Sequence, residues 1–329
     1  MSAPPRMIAI AVEGGAGPAS ALQAVEIDTP VPAAGQILIR VGAAGVNRPD
    51  ILQRLGFYPP PPGAPATLGL EVAGEVAAIG PGPSRWQVGD RVTALLGGGG
   101  YAQYAVVDGR HALPIPAGLD AVAAASLPET VFTVFANGFE HGALKAGETL
   151  LLHGATSGIG VTAIQMAKAA GARVIATARG SDKAASARAI GADLAIDTTT
   201  QDFTAEALAF GGADVILDMV GGDFAQKGLD CLKPGGRIVY IAFQAGGRVE
   251  IDLQKIMQKR LTITGSTLRP RSADEKARLA QAVEATVWPW IAAGQVRTMV
   301  DRSFPLAEAA KAHAWLESGS HVGKMVLVP

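Results

Sequence analysis

Leu150-Leu151-Leu152-His153-Gly154-Ala155-Thr156-Ser157-Gly158-Ile159-Gly160 is the stretch that decides the fold of this chain. It opens as an apolar run of strand length, starting from Thr149, and breaks at a glycine-rich turn. Gly158–Ala170 then carries Val161, Ile164 and Ala167 on one helical face. Glycines at 154, 158 and 160 permit a tight turn and a close approach of backbone to ligand, and the N–H groups that open the helix face an anion. A glycine triplet alone is weak evidence, since such turns also serve packing. Here a strand before, a helix after and a second strand at Arg173–Ala178 supply the context of a dinucleotide pyrophosphate site.

The same rhythm runs outward on the C-terminal side. Ser181–Ile190, Phe203–Phe210 and Phe224–Leu232 read as helices, alternating with strands at Leu194–Asp197, Val215–Asp218, Arg237–Ala242 and Leu261–Gly265. Such alternation predicts a parallel, doubly wound sheet. On the N-terminal side, short strands punctuated by glycine and proline are expected at Ile8–Glu13, Leu22–Ile27, Gln36–Val46, Gly69–Ile79, Asp90–Ala94 and Tyr101–Val107. Only Asn47–Leu55 there looks helical. That half reads as an antiparallel, barrel-like module. A long polar helix from Ala273, interrupted near Pro289, a helix from Pro305 to Glu317 and a strand at Lys324–Val328 close the chain. The tail is expected to return to the first module.

Composition narrows the function. The 329 residues hold 41 glycines and 21 prolines, with 17% charged and 5% aromatic residues. Such a chain suits two domains with large aliphatic cores. A net charge of −1 leaves no electrostatic footprint for nucleic acid. No basic start followed by an apolar run marks a targeting segment, and no apolar stretch reaches a membrane span, so no membrane partner and a cytoplasmic, reducing location are expected. One cysteine, Cys231, excludes an internal disulfide framework and any multi-cysteine zinc site. It reads as a buried helical cysteine rather than a nucleophile.

The second strand of the dinucleotide unit ends Thr177-Ala178-Arg179-Gly180-Ser181-Asp182-Lys183. A dehydrogenase using the unphosphorylated cofactor places an acid at that strand tip for the ribose 2′-hydroxyl. None is present, and Arg179 and Lys183 can neutralise a 2′-phosphate, which favours NADPH over NADH. The plainer reading is that Ser181 or Asp182 caps the helix and both cations are solvated. The turn also fits short-chain dehydrogenases. It lies 150 residues into the chain, however, and no Tyr-x-x-x-Lys pair exists among Tyr58, Tyr101, Tyr104 and Tyr240.

Further stretches carry a more specific resemblance. They are Gly45-Val-Asn-Arg-Pro-Asp-Ile-Leu-Gln-Arg54, Gly56-Phe-Tyr-Pro-Pro-Pro-Pro-Gly63, Leu68-Gly-Leu-Glu-Val-Ala-Gly-Glu-Val76, Val88-Gly-Asp-Arg-Val92 and Leu96-Gly-Gly-Gly-Gly-Tyr-Ala-Gln-Tyr104. To these add the 155–165 turn and the Ala309–Lys324 ending with His313 and Glu317. With them the chain resembles, over essentially its whole length, the medium-chain dehydrogenases/reductases. Within these it is similar to the zinc-independent, zeta-crystallin-like NAD(P)H quinone oxidoreductase branch. The resemblance implies a GroES-like antiparallel β-barrel catalytic domain (residues 1–124 and 269–329) around a doubly wound Rossmann NADPH-binding domain (residues 125–268). Zinc alcohol dehydrogenases carry ligands where this chain has Asn47 and Leu70, and the five histidines are scattered, so no metal is expected.

Without a Lewis acid to stabilise an alkoxide, the resemblance points to quinones or activated enones, which spread the charge that arrives with hydride. It places Asn47 and Thr130 near the nicotinamide and Tyr58 on the acceptor cleft. Ala155, Ser157, Gly158, Ile159 and Gly160 are the expected pyrophosphate contacts, and Arg179 and Lys183 face the 2′-phosphate. Ala242, Phe243, Gln244, Ser266, Thr267 and Leu268 would flank the nicotinamide ribose, with Lys324 close to the cofactor. Many members carry Tyr after the third strand, where this chain reads Asp197-Thr198, which weakens the NADPH preference. Asn47 can equally cap a short helix, Tyr58 can be a surface staple, Asp218 reads as structural, and Trp288 and Trp290 as core or subunit contacts. A homodimer or homotetramer is implied. An NADPH-dependent 2-enoyl or alkenal reductase and a non-catalytic NADPH-binding protein are the rival functions.

Overall fold

The computed structural model describes residues 3–329. It divides into two units. One runs to Phe132 and resumes at Arg269–Ala292 and Thr298–Pro329, and the other is Thr133–Leu268 with Ala293–Arg297.

In the first unit, β1 (Arg6–Val12) and β2 (Leu22–Asp28) form an antiparallel pair. Then come β3 (Gln36–Val46), α1 (Arg48–Arg54), β4 (Glu71–Ile79), β5 (Arg91–Leu95), β6 (Tyr104–Asp108), β7 (Ala112–Pro114), α2 (Ala121–Ala124) and the start, to Phe132, of α3 (Pro128–Val134). β3 is the spine: it pairs antiparallel with β4, and with β6 over Gln36–Arg40. Its register with β4 shifts twice, which bends the strand. Residues 125–132 pack with this unit, where the Ala124 carbonyl accepts from Thr93 Oγ1 at 2.9 Å and the Glu129 amide donates to Glu71 at 2.9 Å.

The second unit opens with a π-helical turn, Phe135–His141, in which Gly142 donates to the Asn137 carbonyl five residues back. It continues as β8 (Thr149–His153), α4 (Gly158–Ala169), β9 (Arg173–Ala178), α5 (Ser181–Ile190), β10 (Leu194–Asp197), α6 (Phe203–Ala209), β11 (Ala213–Asp218), α7 (Phe224–Cys231), β12 (Leu232–Tyr240), α8 (Leu253–Lys259) and β13 (Thr262–Gly265). The six strands are parallel in the order β10-β9-β8-β11-β12-β13, the doubly wound order with its switch point beside β8. Every residue of β8 is buried, because helices cover both faces of such a sheet. Cys231 lies in the core under β11 and β12, and burial pushes its thiol up to about 11.

The chain returns through α9 (Ala273–Ala292), β14 (Val300–Pro305), α10 (Ala309–Ser318) and β15 (Lys324–Val328). β15 pairs with the end of β3, Ala44–Val46, so the tail does rejoin the first unit. Two expectations need correction. The helix from Ala273 is not interrupted at Pro289 but runs through it to Ala292. Proline removes the bond to the carbonyl four residues earlier, and Ala285 and Pro289 are both exposed, so the loss falls on the solvent side of the helix. Neither Ser181 nor Asp182 caps α5: its N-cap is Gly180, at φ +98°, with no side-chain bond. Trp288 donates to the Pro114 carbonyl at 2.8 Å. Among the described residues no helix is long and apolar enough to cross a membrane.

Candidate active site

The glycine turn after β8 is locked by its own backbone. Gly154 has φ +73°, and a Cβ on Gly160 would lie 2.3 Å from the Gly154 carbonyl oxygen. Ser157 caps α4, accepting from the Gly160 amide at 3.0 Å and donating to the Gly154 carbonyl at 2.8 Å. The Ala155 amide donates to Thr177 in β9. Gly158 and Ile159, in contrast, are half-exposed, and their amides find no acceptor among the described residues. Two half-exposed N–H groups at the positive end of a twelve-residue helix, without an acceptor among the described residues, make a cradle that fits a pyrophosphate. His153 beneath the turn is a packing residue. Burial drives its imidazole down to about 3, its Nδ1 pairs with Thr177 Oγ1, and its ring meets Phe203 and Phe224 edge-on.

At the tip of β9, Arg179 is exposed and Lys183 half-buried. Burial and then the nearby Arg179 charge lower the Lys183 ammonium, so the two cations sit close enough to repel. The local acid, Asp197 at the tip of β10, is turned to the backbone. Its Oδ1 accepts from Thr199 Oγ1 (2.7 Å), Gly180 N (2.8 Å) and Thr199 N (2.9 Å), bonds that hold the carboxyl below its ordinary value. The Thr198 hydroxyl donates to Ala178. Ala242, Phe243 and Gln244 follow β12, where Phe243 stacks on Tyr240 and stays exposed. The loop is tied to the one after β11 by Gln244 N to Met219 and Ala245 N to Val220. Asp218 anchors that second loop by accepting from the Val220 and Gly221 amides. After β13, Ser266 donates to Asn137 in the π-helical turn at 2.7 Å, Thr267 is exposed and Leu268 buried. The expected cofactor residues of this unit therefore gather at the carboxyl ends of its strands, where open α/β sheets bind ligands.

The first unit brings Asn47 and Lys324 together around a carboxylate that local sequence did not single out. Glu71 Oε1 accepts from Asn47 Nδ2 at 2.8 Å and from Lys324 Nζ at 2.5 Å. Lys324 Nζ also donates to Asn47 Oδ1 and to the Val46 carbonyl, so all three of its donors are engaged within this unit. Gly45 makes the room, since a Cβ there would lie 2.1 Å from Glu71 Oε1. Asn47 stands at the N-cap of α1, and Asp50 accepts from its amide at 2.8 Å.

Asp50 also takes bonds from Gly69 N and the Tyr101 hydroxyl, and burial raises its carboxyl to about 6. Tyr101 meets His313 Nε2 at 3.0 Å, and His313 Nδ1 faces Arg54, which pairs with Glu317 at 2.7 Å. Because arginine only donates, His313 Nδ1 accepts and Nε2–H donates to Tyr101. Burial holds this imidazole near 3, hence neutral. Of these partners, Glu71 and Asp50 stand inside motifs that carried the resemblance, which was the one signal available.

Thr130 is buried, and its hydroxyl donates back to Ser126 and Leu127. Tyr58 is half-buried under the Arg269 guanidinium, 5.3 Å from the ring centre, and burial and then Glu129 raise its phenol. Arg269 is itself held by the Gly97 carbonyl and Gln53 Oε1, both at 2.8 Å. Among the described residues no group of three or more histidine, cysteine or acidic side chains is arranged to hold a metal ion.

Comparison with known proteins places these features. Residues 33–117 match the alcohol dehydrogenase GroES-like domain, and residues 190–327 match a family described as zinc-binding dehydrogenase. The chain is 32% identical to quinone oxidoreductase of Lama guanicoe, covering 98% of this chain and 97% of that one. It is 34% identical to that of Pseudomonas aeruginosa over 91% and 92%. Among solved structures, Escherichia coli quinone oxidoreductase complexed with NADPH superposes with a TM-score of 0.86 at 30% identity, covering 98% of this chain and 99% of that one. A NAD-dependent alcohol dehydrogenase matches with 0.85 at 28%, over 98% and 100%.

Proposed function

The chain belongs to the quinone oxidoreductase branch of the medium-chain dehydrogenases/reductases, and from that premise we propose that it transfers hydride from NADPH to a quinone. It is an oxidoreductase that works with a nicotinamide cofactor on a small molecule. The observation that carries the finer reading is the charge at the tip of β9, where two cations stand together and Asp197 on the next strand faces the backbone. A 2′-phosphate relieves the repulsion between Arg179 and Lys183, and a bare ribose does not.

The fit of the cofactor rests on the two unengaged amides and the glycine cradle at 154–160. When bound, the reduced nicotinamide supplies the hydride. The amides of Gly158 and Ile159 hold the pyrophosphate, and Ser157 keeps the turn closed behind it. In the first unit, Lys324 and Glu71 clamp both ends of the Asn47 amide, so that Asn47 is presented in one orientation. Asn47 and Leu70 stand where the resemblance places zinc ligands, and neither binds zinc. An acceptor that delocalises the incoming charge is therefore favoured.

Turnover of 1,2- and 1,4-quinones against alkenals, each with NADPH, tests the reading. Faster alkenal turnover would move the assignment to an enone reductase, and NADPH binding with no quinone reduced would remove it. The double variant Arg179→Ala/Lys183→Ala is expected to raise KM for NADPH by at least about tenfold, two charge-assisted bonds being lost. KM for NADH should stay within about twofold, and equal changes for both cofactors would refute a 2′-phosphate site.

We also propose a second copy of the chain as partner. β13 is a terminal strand of the parallel sheet, with Ile263 exposed on it and Leu253 and Met257 exposed on α8, which packs against the neighbouring β12. An open edge flanked by apolar side chains favours edge-to-edge pairing. Light scattering after gel filtration should give at least twice the mass of one chain. A charged residue at Ile263 should then return a monomer.

A further inference from the structure

Hydride transfer to a quinone leaves an anion that needs a proton, and Tyr58 is the side chain that the resemblance places on the acceptor cleft. Its phenol is a poor acid here. Burial and the Glu129 charge push it up from 10, and Arg269 offsets only part of that. Three carboxyls lie around the same cluster, and the hydrogen bonds sort them. Glu71 is fully buried, and its two oxygens accept from Asn47, Lys324 and the Glu129 amide. Asp50 is fully buried, with its oxygens on Gly69 N, Asn47 N and the Tyr101 hydroxyl. Neither can reach a substrate without breaking the fold of this region.

Glu129 differs from both. It sits in the first turn of α3, next to Thr130, with its amide pinned to Glu71 and its side chain half-buried. Among the described residues no donor reaches its carboxyl. It remains open to contact while the elements packed around it supply fixed charges. These are Glu71 from β4, Asp50 from α1 and Lys324 from β15, with Arg269 and Tyr58 from neighbouring loops and Lys276 from α9.

We propose that Glu129 is the proton donor of the reaction, giving the proton that completes reduction of the acceptor. This rests on the hydride-transfer reading above. The reduced cofactor would supply the hydride, and the quinone that accepts this proton and electron pair becomes a hydroquinone monoanion. The Glu129 O–H bond then breaks, an O–H bond forms on the anionic oxygen, and the resulting carboxylate is reprotonated from water. On an enone the same proton would go to the carbon left carbanionic. The electrostatics agree, because burial and then the neighbouring Glu71 raise this carboxyl to about 8. It is therefore a protonated acid at neutral pH, and a far stronger one than the phenol beside it.

The test compares wild type with Glu129→Gln, Glu129→Asp and Tyr58→Phe. Wild-type kcat should fall as pH rises through about 8, because the carboxylate has no proton to give. Glu129→Gln should lose about 100-fold in kcat, together with that alkaline limb. Its NADPH dissociation constant should be unchanged, Glu129→Asp should recover part of the loss, and Tyr58→Phe should keep the alkaline limb near pH 8 whatever its effect on the rate. A second readout needs no turnover: infrared difference spectra of the cofactor-free protein should show a protonated carboxyl that titrates near pH 8 and is missing in Glu129→Gln. A Glu129→Gln variant with wild-type kcat and pH profile overturns the role, as does an infrared band that survives the substitution. Wild type that turns over no acceptor defeats the functional reading and this role together, whereas an active wild type with an indifferent Glu129→Gln defeats the role alone.

Discussion

Gly160→Ala is expected to weaken NADPH binding at least about 100-fold while leaving the fold standing. The added Cβ would lie 2.3 Å from the Gly154 carbonyl oxygen and 2.5 Å from that of Ala155. Both obstacles are backbone, so no side chain can swing aside, and the turn itself must open. Opening it breaks the Ser157 Oγ bond to the residue-160 amide and moves the amides of Gly158 and Ile159 off the position that they share. Overpacking of this kind costs about 1–3 kcal/mol of stability, which a chain of this size tolerates. A displacement on the order of 1 Å in a positioning group costs about two orders of magnitude in what it positions. Titration of NADPH fluorescence measures the constant, and thermal melting checks the fold. Binding within about threefold of wild type would mean that the pyrophosphate is held elsewhere.

The second large effect is on stability. Lys324→Met removes the cation that pairs with a buried carboxylate, since the side chains of Lys324 and Glu71 are 5% and 0% exposed. Asn47 Nδ2 and the Glu129 amide remain on Glu71, but they are dipoles and do not neutralise a buried charge. Breaking such a pair from one side costs about 3–5 kcal/mol. At roughly 2–4 °C per kcal/mol for a unit of this size, the melting temperature should drop by about 6–20 °C. Replacing Glu71 and Lys324 together by apolar residues should recover part of that loss, because no uncompensated charge is left inside. The measurement is the thermal transition of the three variants. A single variant that melts within about 2 °C of wild type would show that water reaches Glu71 and that the pair is not sealed.

These two predictions come from opposite ends of what could be read in advance. Around Gly160 the information is local. β8, β9, α5 and β10 have the bounds expected of them, because a fully buried parallel strand is a continuous apolar run and each helix between is bounded by glycine. Elsewhere local signals misled. β14, Val-Asp-Arg-Ser-Phe-Pro, carries no strand signal of its own, was not anticipated, and forms its strand beside β15. The π-helical turn at Phe135–His141 has no periodicity of its own to betray it. Pro289 was expected to break a helix that in fact continues, since the lost bond faces water.

The candidate site divides in the same way. The glycine cradle, Arg179 and Lys183 lie within thirty residues of one another, and the roles proposed for them follow from order along the chain. The clamp on Asn47 does not: Lys324 reaches Glu71 across 253 positions, and nothing in either segment specifies the other. Glu129 is likewise an ordinary helix-opening acid until burial and the Glu71 charge raise its carboxyl to about 8. Sequence alone determined the doubly wound sheet, the dinucleotide turn and the family, because backbone conformation and hydrophobic period are set by neighbours in the chain. Only the tertiary structure decided which carboxyl is sealed, which is clamped and which stays open to give a proton. Desolvation and Coulomb interactions depend on distance in space, and that distance exists only once the chain has closed on itself.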